Sequence, residues 1–326
     1  MKVLVTGGTG FLGGHLARRL LRQGAEVRVL GRNPVACAEL ARLGAEVVQA
    51  DLRDENAVRE ACRGMEVVCH AGAMSEAWGR KRDFFEVNVG GTRHVIKGCR
   101  EFGVRRFVYV SSSSVTFDGR SHRCISEATP FPKRFASVYS ESKKVCEDVT
   151  REAAGYDLET VIVRPKALFG PGDPSLLPRI VRAARAGRLV QIGAGRNEID
   201  LTYIDNAVDA LVLALEHRNA ANRTFLITGD ETVRLWPFLR DILQRLGLPH
   251  ELRRVPFRAV YALACLQEAR ATLSGREPVL TRFGVSLLAR TQVCDISLAR
   301  RELGYQPKIN VAEGVQRTLA ALADSR

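Results

Sequence analysis

The sequence predicts an α/β fold, a doubly wound parallel sheet with a smaller C-terminal α/β lobe, and three observations carry that prediction. Short apolar runs alternate with segments whose apolar residues recur at helical spacing. The first run is joined to the first helical segment by a glycine-rich turn, Gly7 to Gly14. After residue 165 the alternation loosens, so residues 1–165 are expected to form the sheet domain and residues 166–326 mainly the lobe, with some segments returning to the sheet. A chain of 326 residues is long enough for both and for a substantial core.

The first strand is Lys2 to Thr6, and Leu16, Ala17, Leu20 and Leu21 give the helix after the turn its apolar face. Glycines at 7, 10 and 13 suit a tight turn, a close approach of backbone to a pyrophosphate, and close packing of helix on strand. Phosphates would then face the helix N-terminus, a Rossmann-type arrangement for a dinucleotide. A second strand, Glu26 to Leu30, ends in Gly31-Arg32-Asn33, where an NAD site commonly has an acidic residue for the ribose hydroxyls. That acid is missing, and Arg32 is placed to pair with a 2′-phosphate, which favours NADP(H) over NAD(H). Pro34 to Leu43 reads as a helix and Glu46 to Ala50 as the third strand. At its end Asp51 either accepts from the adenine amino group or caps the next helix, which begins near Asp54.

Glu66 to His70 is the fourth strand, followed by Ala71, Gly72 and Ala73, small residues suited to backbone passing close to a cofactor. His70 has no carboxylate or second histidine nearby and reads as structural. Residues 82 to 102 follow a helical pattern through Phe84, Phe85, Val89, Val95 and Ile96, and Gly90 and Gly91 inside it suggest close packing. The fifth strand, Arg106 to Val110, runs into Ser111-Ser112-Ser113-Ser114, hydroxyls at the mouth of the sheet. A helix beginning near Ser137 and continuing toward Ala154 carries Tyr139 and Lys143, whose spacing of four puts them one turn apart on one face. The expectation is that the Lys143 ammonium draws the phenol pKa down toward neutrality and makes Tyr139 a proton donor and acceptor for a carbonyl or alcohol oxygen. Thr160 to Val163 is the sixth strand, ending in Arg164-Pro165. Beyond it, helices are expected near 176–186, 206–215, 236–246, 258–273 and 311–322, with short strands near 190 and at 224–227.

The net charge of +13 comes from 41 Arg and only 8 Lys against 36 acidic residues, dispersed without a basic run. An anionic ligand is favoured, and no nucleic-acid reading motif is present. The eight cysteines lack metal-ligand spacing, so no metal site is expected. No apolar run reaches the length of a membrane span, and a cytoplasmic protein is expected. Val255, Phe257, Val260, Tyr261, Leu263, Ala264 and Leu266 make a broad apolar surface. It reads as a core helix of the lobe or as a lid over a greasy substrate, with peripheral membrane contact through 255–283 and Arg253, Arg254 and Arg258 at its edge.

Taken in order, Thr6 to Gly13, Asp51-Leu52, His70 to Ala73, Asn88 to Thr92, the serine cluster, Tyr139 with Lys143, Arg164-Pro165, Gly170 to Asp173 and Glu302 to Pro307 resemble the extended short-chain dehydrogenase/reductases over essentially the full chain. The resemblance implies a Rossmann domain with a substrate lobe and a catalytic set of Ser112, Tyr139 and Lys143, with Ser111 the other candidate serine. It further implies cofactor contacts at Gly7, Thr9, Gly10, Phe11, Leu12, Gly13, Arg32, Asp51, Leu52, Ala71, Gly72, Ala73, Asn88, Ser111, Tyr139, Lys143 and Pro165. The stretches around Trp78, Thr202 to Asn206 and Glu277 to Arg282 look like the 3β-hydroxysteroid dehydrogenase-like branch, with sterol-carboxylate dehydrogenases and, most similar, the 2-alkyl-3-oxoalkanoate reductases of olefin synthesis. The activity so implied is NADP(H)-dependent interconversion of a ketone and a secondary alcohol on a hydrophobic β-keto or β-hydroxy acid or a sterol. The alternative is a nucleotide-sugar epimerase or dehydratase with bound NAD(P); a homodimer is plausible in either case.

Overall fold

A computed structural model describes residues 1–155, 157–174 and 176–324. Its main sheet has seven parallel strands, in the spatial order Arg223–Ile227, Glu159–Pro165, Arg106–Val110, Val67–His70, Lys2–Thr6, Glu26–Gly31 and Glu46–Gln49. These strands are near-continuous apolar runs because both faces of the sheet are covered. Val3 and Val5 join one layer with Leu16, Ala17 and Leu20, whereas Leu4 joins the opposite layer with Val58, Val95 and Phe107. The strand period of two thus sorts neighbouring residues into two cores.

The chain builds outward from Lys2–Thr6 to one edge and then returns to build on its other side, from Val67–His70. The reversal opens a crevice at the carboxyl ends of these two strands, where open α/β sheets bind ligands. Helix Phe11–Arg22 packs there against helix Ile204–Glu216. The buried Arg106 fixes the end of the latter helix: its guanidinium donates to the carbonyls of Ala214, Leu215 and His217 at 3.1, 3.1 and 2.8 Å. A cation is favourable at that helix terminus.

A boundary at residue 165 is crossed in both directions. Arg223–Ile227 supplies an edge strand of the main sheet. Conversely, His122–Ile125 joins a four-stranded lobe sheet with Gln292–Cys294, Glu198–Asp200 and Thr232–Arg234. The lobe has its own core around Trp236, Leu239, Ile242, Phe169 and Tyr203.

The expected helical segment over 82–102 contains a wider turn. Lys81–Phe84 is α-helical, Phe85–Gly90 is a π-helical turn, and Gly91–Glu101 resumes the α-helix. Such turns often occur at functional sites. Gly91 meets the expectation of close packing, since a Cβ there would lie 2.8 Å from Leu52 Cβ; at Gly90 a Cβ would make only an ordinary contact, 3.9 Å from the Phe85 carbonyl oxygen.

Candidate active site

The glycine turn leaves no room for side chains. Gly7 has φ 66°, and a Cβ on it would lie 2.5 Å from the Gly72 backbone. A Cβ on Gly13 would lie 2.4 Å from the Gly7 carbonyl oxygen. Gly10 is the N-cap of helix Phe11–Arg22 and has no side chain with which to cap it. The N–H groups of Phe11, Leu12 and Gly13 are therefore left for an external acceptor at the positive end of the helix dipole. This cradle fits the pyrophosphate of a dinucleotide. Thr9 lies against Gly31, while Phe11 and Leu12 pack against the lobe core. Phe11 also meets His15 edge to face, and His15 Nε2 bonds the Pro171 carbonyl at 3.0 Å, tying the turn to the lobe.

At the end of Glu26–Gly31, Arg32 is exposed and pairs with Asp51 at 3.3 Å. Asp51 is held more tightly by Arg53, whose Nε and backbone N–H both donate at 2.9 Å. The Arg53 hydrogen bonds, with Arg32 assisting, lower the Asp51 pKa to about 2 despite partial burial. Of the two roles expected for Asp51, the capping role belongs to Asp54, which accepts from Ala57 N–H. Arg53 was not anticipated; its signal is a second arginine two residues past the acid. Leu52 is buried under the sheet end against Gly91.

The small-residue loop is fixed by two buried polar groups. His70 Nδ1 lies 2.5 Å from Thr6 Oγ1 and Nε2 lies 3.1 Å from Thr92 Oγ1. Burial, with Lys143 nearby, lowers its pKa to about 3, which makes it a neutral structural residue. Ala71 N–H donates to the Thr6 carbonyl and Gly72 N–H to Thr6 Oγ1; Ala73 follows, partly exposed. The Asn88 amide, in the π-turn, accepts from Met74 N–H at 2.7 Å and donates to Met74 O and Ser142 Oγ. Asn88 thereby clamps the loop to the helix that carries Tyr139.

That helix, Val138–Glu152, starts at Ser137, whose hydroxyl accepts from Ser140 N–H at 3.1 Å. The structure brings Ser112 and Tyr139 together, the serine hydroxyl lying near enough to the phenol to favour its ionised form. Ser111 points elsewhere and donates to Glu147 Oε1 at 2.6 Å. Lys143 departs from expectation. Its ammonium donates to the Val110 carbonyl at 2.5 Å and lies 4.4 Å from the centre of the Tyr109 ring, instead of acting on the phenol. Burial outweighs the influence of Ser112 and raises the Tyr139 pKa to about 12, so the expected fall toward neutrality does not occur. Burial also lowers Lys143 to about 8.

Sequence reasoning missed the fully buried Glu147. It accepts two hydrogen bonds from Arg164, at 2.7 and 2.6 Å, and one from Arg151 at 2.5 Å. Burial alone would raise its pKa, but Arg164, Ser111 and Arg151 together lower it. The signal was available in Arg164, a charge inside an apolar strand that needs a buried partner. Pro165 ends the same strand, buried, and Ala167 just beyond it has φ 42°. Positive φ on a non-glycine residue is uncommon. Among the described residues no cluster suited to a metal ion occurs.

A sequence profile of the 3-beta hydroxysteroid dehydrogenase/isomerase family matches residues 4–257. A 2-alkyl-3-oxoalkanoate reductase of Shewanella oneidensis is 36% identical over 332 residues, covering 98% of this chain and 85% of that protein. The decarboxylating sterol-4-alpha-carboxylate 3-dehydrogenase of Mus musculus is 31% identical, covering 98% and 90%. Among solved structures, a dTDP-glucose 4,6-dehydratase from Streptomyces venezuelae with NAD bound aligns at a TM-score of 0.78 and 25% identity, covering 100% of this chain and 98% of that one.

Proposed function

We infer that this chain, which belongs to the 3-beta hydroxysteroid dehydrogenase/isomerase family, interconverts a ketone and a secondary alcohol on a hydrophobic substrate with NADP(H), using Tyr139 as acid and base. It is an NAD(P)-dependent oxidoreductase of the extended short-chain dehydrogenase/reductase type, as its named relatives are reductases and dehydrogenases. The observation that carries the reading is the approach of Ser112 to Tyr139, one helical turn from the buried Lys143 that bonds the carboxyl end of strand Arg106–Val110.

A bound nicotinamide dinucleotide supplies or accepts the hydride. The Phe11, Leu12 and Gly13 N–H groups hold its phosphates, and the exposed Arg32, with Arg53 beside it, meets a 2′-phosphate. Ser112 orients the substrate oxygen toward the phenol. Burial raises the Tyr139 pKa to about 12, so the phenol carries its proton at pH 7, the state that an acid in ketone reduction starts from. The substrate class follows the relatives: a β-keto or β-hydroxy acid with long alkyl chains, or a sterol.

A panel of β-keto acids, sterols and nucleotide sugars, followed by NADPH and NADH absorbance, tests the reading. Tyr139→Phe is expected to abolish turnover and to leave NADPH binding within a factor of about three; near-normal activity would overturn the acid/base role. Arg32→Ala is expected to weaken NADPH binding roughly tenfold and NADH binding hardly at all. Equal effects on the two would remove the 2′-phosphate role. The nucleotide-sugar reading is favoured only by the fold it shares with the NAD-bound dehydratase. It would replace the ketone reading if a UDP- or dTDP-sugar alone raised the melting temperature and was turned over.

A further inference from the structure

We propose that Tyr109 is a positioning residue, the face of its ring holding the Lys143 ammonium in place and charged at the end of strand Arg106–Val110. Lys143 is 2% exposed, and among the described residues its ammonium forms no ion pair. A buried cation needs a partner. Lys143 has one carbonyl, Val110 at 2.5 Å, and beyond it the Tyr109 ring, whose centre lies 4.4 Å from Nζ, within the range of a cation–π contact. The ring is itself fixed. Tyr109 is 1% exposed, and the strand period of two puts it on the same face of the sheet as Phe107, whose ring at 6.5 Å and that of His70 at 5.8 Å flank it. The Tyr109 hydroxyl, also buried, makes no hydrogen bond, which leaves the ring face as the part of the side chain that serves Lys143.

The surrounding charges leave this work to the ring. The titratable groups bearing on Lys143 are His70 from strand Val67–His70, Tyr109 itself, and Cys146 and Glu147 from its own helix, with Tyr139 one turn earlier. Burial keeps His70 neutral and raises the Cys146 thiol, so neither is charged at pH 7. Glu147 is ionised, but it is bonded to Arg164 and Arg151, whose charges offset its own. The neighbouring helix Gly91–Glu101 approaches Cys146 with Thr92, which does not titrate. Burial lowers the Lys143 pKa to about 8, and removal of the ring would lower it further. The role of this contact in turnover rests on the oxidoreductase reading, whereas its test needs no turnover.

Thermal scans of paired chains, with and without Lys143→Met, read the titration of Lys143 as the pH at which the stability difference begins to rise, about 8 in the wild-type background. In the Tyr109→Leu background that onset is expected at about pH 7, since loss of the π face lowers the folded pKa by about 1. Tyr109→Phe keeps the face and is expected to keep the onset at about 8. Should the leucine variant fold poorly, 3,5-difluorophenylalanine incorporated at position 109 keeps the ring's shape while drawing electron density from its face, and its onset is expected between those of the other two. A purely structural tyrosine would lower both melting temperatures of a pair alike and leave the onset in place. An onset moved by less than about 0.3 in pH in both the leucine and the fluorinated chains would overturn the proposal. A moved onset in a chain inactive toward every ketone would overturn the oxidoreductase reading and leave the Tyr109 contact standing.

Discussion

Replacing Glu147 by glutamine tests what holds helix Val138–Glu152 against the sheet. Glu147 is 0% exposed and Arg164 2%, and the carboxylate receives two bonds from Arg164, one from Arg151 and one from Ser111. Glutamine keeps the volume but leaves the Arg164 cation buried without its counter-charge, which costs about 3–5 kcal/mol. For a chain of 326 residues the unfolding entropy is about 0.7 kcal/mol/K, so the melting temperature should fall by about 4–7 °C. The Glu147 pKa is lowered in the folded chain. Its contribution is therefore complete above the unfolded value of about 4.3 and is lost as pH falls through the folded value. The gap between wild type and Glu147→Gln should close on acidification below that range. Calorimetry at pH 7 and in steps downward from about pH 4 reads both effects. Glu147→Leu/Arg164→Met removes both charges and is expected to cost less than Glu147→Gln alone. A single variant within about 1 kcal/mol of wild type at pH 7, or a double variant equal to the sum of its singles, would refute the argument.

Two further outcomes follow from burial and packing. Burial lowers the Lys143 pKa from 10.5 to about 8, a penalty of about 3 kcal/mol on its charged form. Lys143→Met is therefore expected to lose turnover with no fall in melting temperature at pH 7. Between about pH 8 and 10.5 the unfolded chain binds the extra proton, so wild-type stability should rise with pH relative to the variant; thermal scans across that window check the sign. Gly13→Ala drives a Cβ to 2.4 Å from the Gly7 carbonyl oxygen. It should weaken dinucleotide binding by roughly tenfold or more in a fluorescence titration, and unchanged affinity would show that the turn yields without loss.

The strands of the main sheet were legible because burial on both faces forces apolar runs such as Val3 to Val5 and Phe107 to Val110. The glycine turn was legible because its backbone contacts exclude a Cβ. The lobe sheet was not: His122–Ile125 and Gln292–Cys294 are three or four residues long, partly polar, and paired across some 170 positions. Nothing local encodes such a pairing. Helical spacing placed Tyr139 and Lys143 on one face, but spacing fixes Cβ positions only. The long lysine side chain reaches past the phenol to Val110 and Tyr109. The same arithmetic puts Glu147 four residues beyond Lys143, where an acidic helix residue reads as solvated unless Arg164 is seen as its partner.

The helix Val138–Glu152 is fixed to its surroundings at three successive levels. Ser142 meets the Asn88 amide in the π-turn, Lys143 meets the carbonyl that ends strand Arg106–Val110, and Glu147 meets Ser111 and Arg164 from two adjacent strands. The first contact joins the helix to the π-turn and the other two join it to the rim of the main sheet, and none of the three involves the lobe. The positions of Ser112 and Tyr139 are therefore set by the sheet and the π-turn, with Ser112 emerging from the end of strand Arg106–Val110. The lobe can then vary in shape and polarity without disturbing Tyr139. That division of labour fits relatives named for substrates as different as 2-alkyl-3-oxoalkanoates and sterol-4-alpha-carboxylates, each of which aligns with 98% of this chain.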